Sequence, residues 1–250
     1  YGLKGKAENF IINNNKAYIV NDENGLIVLN LNDTLKKIGS FNTNGNAQDI
    51  VINGNTAYIA DGKNGVLKLN ITTSSNITLE KTYKTSEAKR LALSSNKLCV
   101  ACGINGIAII NTSTGGIKYL KDNNAQDVTI NNDIAYVANG EKGLLSIDLK
   151  KEEVKESLSI DGFVQNVFFD NNLLYLSNRT ENTFIVDVAT LTFKGYIEAS
   201  NEKRIYKNDD HLYLLLNSST NNIKEYNTSA ITRSLRKKAS IDIDSNINDM

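Results

Sequence analysis

The sequence is poor in the residues from which most catalytic centres are built. Among its 250 residues there is no tryptophan, no proline, one histidine and two cysteines. One histidine excludes a multi-histidine metal site and gives a Ser-His-Asp triad no support. Two cysteines make no disulfide framework and leave the redox compartment open. Net charge is also lacking: 28 basic residues balance 28 acidic ones, so nothing points to a dedicated nucleic-acid or anionic-membrane binder. The longest apolar runs, Ile107–Ile110 and Leu212–Leu216, are far too short to span a bilayer. No G-x-S-x-G, Walker, Rossmann or zinc-protease pattern occurs. The surplus of Asn, Lys and Ile reads as AT-rich coding bias and carries no function.

What the chain does have is repetition. The stretch Ala57–Asn70, AYIADGKNGVLKLN, recurs near Ala17, Leu98, Ala135, Leu174 and Leu212. Its first half reads as a half-buried strand. The turn Asp61-Gly62-Lys63-Asn64-Gly65 reverses the chain, and Val66–Leu69 is the returning strand of a β-hairpin. One column holds Tyr18, Tyr58, Cys99, Tyr136, Tyr175 and Tyr213. A turn-closing column holds Gly25, Gly65, Gly106, Gly143, Asn182 and Asn222, the two residue types most tolerant of the left-handed region. The second strand ends at Asn30, Asn70, Asn111, Asp148, Asp187 and Asn227, 37 to 41 residues apart.

An apolar segment precedes each hairpin (Phe10–Ile12, Ile50–Ile52, Leu91–Leu93, Val128–Ile130, Val167–Phe169, Ile205–Tyr206) and a more polar strand follows it. Four strands in about 40 residues make a propeller blade, with the polar strand at the solvated edge. The expected fold is therefore all-β, a six-bladed β-propeller of four-stranded antiparallel blades, forming a single domain over residues 1–250. A chain that begins at Tyr1 and ends in mid-repeat is expected to be part of a longer one. Closure of the ring through Tyr1–Lys6 or through the tail stays open, with a seventh, incomplete blade as the alternative.

The returning strands read LIVLN, VLKLN, IAIIN, LLSID, TFIVD and IKEYN, which resembles the LVIVD-repeat family of β-propellers. The first four repeats match its tyrosine strand, Asp-Gly-x-x-Gly-like turn and acidic strand end. The last two carry Asn182 and Asn222 in place of glycine, and the family's proline is missing throughout. The resemblance implies a binding module of a bacterial or archaeal cell envelope or surface, periplasmic or extracellular.

Candidate chemistry is sparse. Cys99 and Cys102 have a C-x-x-C spacing, but on one strand residues three apart point to opposite faces, so buried thiols are expected and no zinc site. His211 falls in a turn. The Gly-x-x-Gly-like turns join two strands and open no helix, so they lack the amide cradle of a phosphate loop. The charge runs Lys150–Glu156 and Arg233–Lys238 read as solvated outer edges.

The column with most promise is the residue just before each inner strand: Asn9, Asp49, Arg90, Asp127, Asn166 and Arg204. In a propeller these six positions form a ring at one mouth of the central channel. A solvated ring of partly paired charges is one reading, with surface pairs contributing about 0–1 kcal/mol each. Recognition of a partner at that mouth is another. Calcium on Asn9, Asp49, Asp127 and Asn166 is a third, against which Arg90 and Arg204 speak. The expectation is a non-catalytic protein-interaction scaffold of a surface or envelope protein, with a protein partner, no cofactor, no metal, no nucleic acid and no membrane insertion. The alternative is a metal-dependent, lactonase-like hydrolase using Asp49 and Asp127.

Overall fold

Short apolar segments separated by Asn- and Gly-rich turns fold into antiparallel hairpins. The computed structural model describes residues 5–32, 35–121, 123–199, 202–216, 223–227, 234–235 and 237–241, and among them there is no helix. Blade 1 consists of β1 (Asn9–Asn13), β2 (Lys16–Val20), β3 (Leu26–Asn30) and β4 (Lys36–Phe41). Blade 2 follows with β5 (Asp49–Asn53), β6 (Thr56–Ala60), β7 (Val66–Asn70) and β8 (Thr78–Tyr83). Blade 3 is β9 (Arg90–Ser94), β10 (Lys97–Ala101), β11 (Ile107–Asn111) and β12 (Ile117–Leu120).

Blade 4 is β13 (Asp127–Asn131), β14 (Ile134–Ala138), β15 (Leu144–Asp148) and β16 (Glu153–Leu158). Blade 5 holds β17 (Val164–Asp170), β18 (Leu173–Asn178), β19 (Thr183–Asp187) and β20 (Thr192–Ile197). A short β24 (Ser234–Leu235) pairs with β20 in parallel. Blade 6 is β21 (Glu202–Asn208), β22 (His211–Leu216), β23 (Ile223–Asn227) and β25 (Lys237–Ile241). Each blade is an antiparallel meander in chain order, and the fold class is a six-bladed β-propeller. The chain divides into two compact units, blades 1 to 3 and blades 4 to 6.

Within each unit the core lies between successive blades. Tyr18, Val20, Leu26 and Val28 of blade 1 pack on Ile50, Ile59 and Leu69 of blade 2. Tyr58, Ala60 and Val66 turn the other way, onto Leu91, Leu98 and Val100 of blade 3. In the second unit Tyr136 and Ala138 meet Val167, Leu174 and Leu176, and Tyr175 and Ile185 meet Ile205, Leu212 and Leu214. Each tyrosine thus points at the next blade. The half-buried strand expected at Ala57–Ala60 is in fact buried throughout, because a middle strand has a blade on either side of it. The outer strands are the wettest, β16 being exposed along nearly its whole length, and inner strand β1 also exposes Phe10 and Ile12.

The outer pairs carry a feature the repeat did not announce. A register shift interrupts β3–β4, β7–β8, β15–β16, β19–β20 and β23–β25 at equivalent places, while β11 pairs with β12 without one. Such bulges increase local twist and spoil an edge for strand addition. At Gly39 beside the first shift, an added Cβ would lie 1.8 Å from the Ser74 carbonyl oxygen of blade 2.

The turn-closing glycine does two jobs. Gly65 has φ +87°, and an added Cβ would sit 2.3 Å from the carbonyl oxygen of Tyr83, where the outer strand ends. Asn182, expected to take the same left-handed conformation, does not take it. In that blade Asn178 Oδ1 accepts the N–H groups of Thr180 and Glu181 at 3.1 and 3.2 Å, and the turn is held from its other end. Asn222 lies outside the described residues.

Candidate functional site

One face of each unit collects three kinds of backbone: the starts of the inner strands, the hairpin turns between the middle strands, and the crossovers between blades. The six column residues lie on this face. Asn9, Asp49, Arg90 and Asp127 are the first residues of their inner strands, rather than residues preceding them. Asn166 and Arg204 sit third in β17 and β21, which begin two residues earlier with a register shift.

In the first unit the structure brings three of them together. Asn9 donates its side-chain amide to Asp49 Oδ1, and Asp49 Oδ2 accepts the backbone N–H of Leu91 at 2.7 Å. Arg90 Nη1 donates to the carbonyl oxygens of Lys89 at 2.8 Å and Gln48 at 3.3 Å. In the second unit Asp127 Oδ2 accepts the N–H of Val167 at 3.1 Å, and its Oδ1 accepts that of Val128 at 2.9 Å. Asn166 donates to Ser177 Oγ at 3.1 Å within its own blade, and Arg204 is half-buried.

The physical reason for the aspartates is the inner strand itself. It is the edge of its sheet, so its outward N–H groups have no ladder partner. A carboxylate from the preceding blade takes one of them in a charge-assisted hydrogen bond. Asp49 is only 5% exposed, so it is an inter-blade tie and not the solvated ring member that the sequence also allowed.

A second column, not picked out from the sequence, organises the same face. Among the described residues, the position three after the tyrosine column, where the hairpin turn begins, is buried: Asn21, Asp61, Cys102, Asn139 and Asn178. Asn139 and Asn178 hold the crossover entering their own blade. Asn139 accepts the Asn124 N–H at 2.7 Å and donates to Asn123 Oδ1 at 3.1 Å. Asn178 accepts the Phe163 N–H at 3.1 Å and donates to the Asp161 carbonyl at 2.6 Å. Asp61 presses on Gly45, where an added Cβ would lie 2.4 Å from Oδ2. The next turn residue bridges the crossover leaving the blade, as in Asp22–Ala47, Gly62–Ala88 and Gly140–Val164. The available signal was a polar or small residue directly after every tyrosine strand, with Asn in three of five copies.

Asp61 is the odd member electrically. It is fully buried, Oδ2 accepts from Asn64 at 3.0 Å, and Oδ1 has no hydrogen-bond partner among the described residues. Burial pushes its carboxyl above the usual carboxylate range, offset in part by the Thr43 hydroxyl and the Asn64 amide. Cys102 is likewise buried, and desolvation pushes its thiol up to about 11. Both cysteines are buried thiols outside any disulfide, as expected.

Two adjacent clefts open on this face in the first unit. One, of about 380 Å³, is lined by amides and carboxylates, including Asn44, Asn46, Gln48, Asp61 and Glu87. The other, of about 480 Å³, is lined by Ser86, Ile104, Asn105, Tyr119 and Lys121. Among the described residues no group of three or more His, Cys, Asp or Glu side chains is placed to hold a metal ion.

The remaining motifs resolve simply. His211 is the first residue of β22 rather than a turn residue, with Nδ1 2.5 Å from Glu225 Oε1 and its ring stacked near Tyr213. The run Lys150–Glu156 makes local surface pairs, such as Lys150 with Asp133 at 2.8 Å. The run Arg233–Lys238 lies outside the described side chains.

Residues 3–158 match a family model described as a domain of unknown function, DUF5074. No curated protein sequence matches the chain. The structure is similar to a chain in a crystal structure of the mitotic checkpoint complex, at 12% identity and a TM-score of 0.77, covering 98% of this chain and 85% of that one. It is similar to the WD40 repeats of RRP9 at 9% identity and a TM-score of 0.78, covering 99% and 84%. A computationally designed protein, Ika8, has the same fold at 11% identity and a TM-score of 0.75, covering 93% and 74%.

Proposed function

We propose that this chain, which belongs to the DUF5074 family, is a non-catalytic scaffold whose loop face recognises a protein partner. The observation that carries this is the state of Asp49. A metal-dependent hydrolase at the channel mouth would need its carboxylate directed at an ion, yet Oδ1 takes the Asn9 amide and Oδ2 takes the Leu91 N–H. Both of its oxygens are already engaged in joining blades. What remains on the face is a rigid arrangement of turns with polar tips, a surface suited to recognition. A neighbouring fold that sits in a multiprotein complex, the mitotic checkpoint complex, is consistent with the same use.

Within the first unit Arg90 is the cationic channel-mouth member of this proposed surface, with Asn9 beside it and the buried Asp49 fastening it from beneath; in the second unit Arg204 holds the equivalent place beside Asp127 and the buried Asn166. The likeness of the returning strands to LVIVD repeats supports an envelope or surface setting. The test is capture from envelope and cytosolic extracts of the source cells. The intact chain is compared with a Lys63→Glu/Arg90→Ala variant of equal melting temperature. A defined protein retained by the intact chain and lost by the variant is the expected result, and no capture by either would sink the scaffold. In parallel, calcium and a chelator are expected to leave the melting temperature unchanged.

A further inference from the structure

Among the described hairpin turns the third residue is the tip, and the tips are Glu23, Lys63, Ile104, Glu141 and Thr180. Four are polar. Ile104 is the exception, and it is 81% exposed. The turn that displays it is well ordered by its own backbone: Cys102 N–H to the Gly106 carbonyl at 2.9 Å, Gly106 N–H to Gly103 at 3.0 Å, Asn105 N–H to Cys102 at 3.2 Å. Below it the buried Cys102 replaces the amide found in three other blades.

Beside Ile104 stands Tyr119 of the outer strand, 36% exposed, its hydroxyl fixed to the Lys84 carbonyl at 3.0 Å. The two line the 480 Å³ cleft together with Lys121. Lys89 of the crossover lies against the turn next to Ile104, since a Cβ added at Gly103 would lie 2.8 Å from its Nζ. An aliphatic tip, an aromatic wall and Lys121 therefore share one cleft, with Lys89 against the back of the same turn. Glu87, the acid on that crossover, lines the neighbouring cleft with Asp61 instead.

From this juxtaposition, and resting on the scaffold reading above, we propose that the Ile104–Tyr119 cleft of blade 3 docks a partner segment carrying one large apolar side chain flanked by acidic residues. The apolar side chain is buried between Ile104 and the Tyr119 ring, in the manner of a small interface hot spot. The flanking carboxylates meet Lys121 and Lys89, which speeds encounter and disfavours basic segments. A rigid turn presents the isoleucine without an ordering penalty on binding.

The probe is a fluorescent Glu-Asp-Phe-Asp-Glu peptide titrated against the chain and followed by anisotropy. Glu-Asp-Ala-Asp-Glu and Lys-Arg-Phe-Arg-Lys peptides serve as controls. Saturable binding of the first is expected, weakened about tenfold or more by the alanine peptide, by Ile104→Glu and by Lys121→Glu, and abolished for the basic peptide. Ile104→Glu installs the residue that blades 1 and 4 carry at their tips, so the variant is expected to melt with the wild type. Equal affinity of wild type and Ile104→Glu, or no saturable binding by either, overturns the proposal. So does Ile104-dependent self-association in sedimentation, which would assign the cleft to a second copy, or Ile104-dependent binding to anionic vesicles. If Ile104→Glu still captures the partner that the intact chain captures, this cleft is refuted while the scaffold function stands.

Discussion

Asp49 and Leu91 lie 42 residues apart, in different blades, and are joined by a 2.7 Å hydrogen bond from the leucine's backbone N–H to the aspartate's Oδ2. Asp127 and Val167 repeat the relationship at a separation of 40 in the second unit. An acid at the head of one inner strand therefore serves as the missing ladder partner of the next.

Removing that acid leaves a buried N–H and the Asn9 amide without their acceptor. Asp49→Ala is expected to destabilise the first unit by roughly 2–3 kcal/mol, with Asp49→Asn milder because one acceptor oxygen survives. Denaturant melts followed by circular dichroism would measure both. Equal stability of Asp49→Ala and wild type would deny the tie any energetic role.

Asp61 makes folding pH-dependent. Burial raises its pKa in the folded chain, so the folded state holds the proton more tightly than the unfolded one. Its contribution is complete below the ordinary aspartate value, near pH 4, and is lost as pH rises through the higher folded value. Asp61→Asn, which installs the residue present at 21, 139 and 178, is expected to raise the melting temperature at neutral pH and flatten its dependence on pH. A variant with an unchanged pH profile would place the titration elsewhere.

Two glycines with positive φ should respond differently to alanine. Gly65→Ala meets both an unfavourable conformation and the Tyr83 carbonyl at 2.3 Å, and is expected to cost about 3 kcal/mol or more. Gly54 has φ +57° and nothing within 4 Å of an added Cβ, so Gly54→Ala pays for conformation alone, about 1 kcal/mol. Paired thermal melts of the two variants decide it, and equal losses would contradict the steric account.

The thiols should be silent until the chain unfolds. Cys99 and Cys102 are fully buried, and the Cys102 thiol is pushed up to about 11, so little thiolate exists at neutral pH. Ellman's reagent is expected to titrate neither thiol in the native protein and both in guanidinium. Prompt native labelling would mean that blade 3 opens readily.

The blades were legible in the sequence because strand period, tyrosine column and turn glycines all repeat on the same register. Local pattern could place Asn9, Asp49 and Arg90 at the heads of strands. It could not say that Asp49 reaches a backbone N–H 42 residues on, since a backbone donor leaves no side-chain signature. The middle strands looked half-buried because alternation is judged along one strand, whereas their second face is covered by a different blade. Asn182 misled for a related reason: its tolerance of left-handed backbone is a permission, and Asn178 made it unnecessary. Ile104 went unremarked because a lone apolar residue in a turn has no period to betray it.

The double grip on each crossover bears on how such a chain grows and fails. A crossover is held by the turn of the blade it enters, as Asn139 and Asn178 illustrate, and by the turn of the blade it leaves, as Ala47 and Ala88 illustrate. Losing one blade therefore frays its neighbour, and hydrogen exchange should report pairs of blades opening together rather than single ones. Gene duplication meets the same constraint in reverse. The portable segment is not a sheet but a sheet with its trailing loop, which arrives already shaped to fasten whatever is copied next.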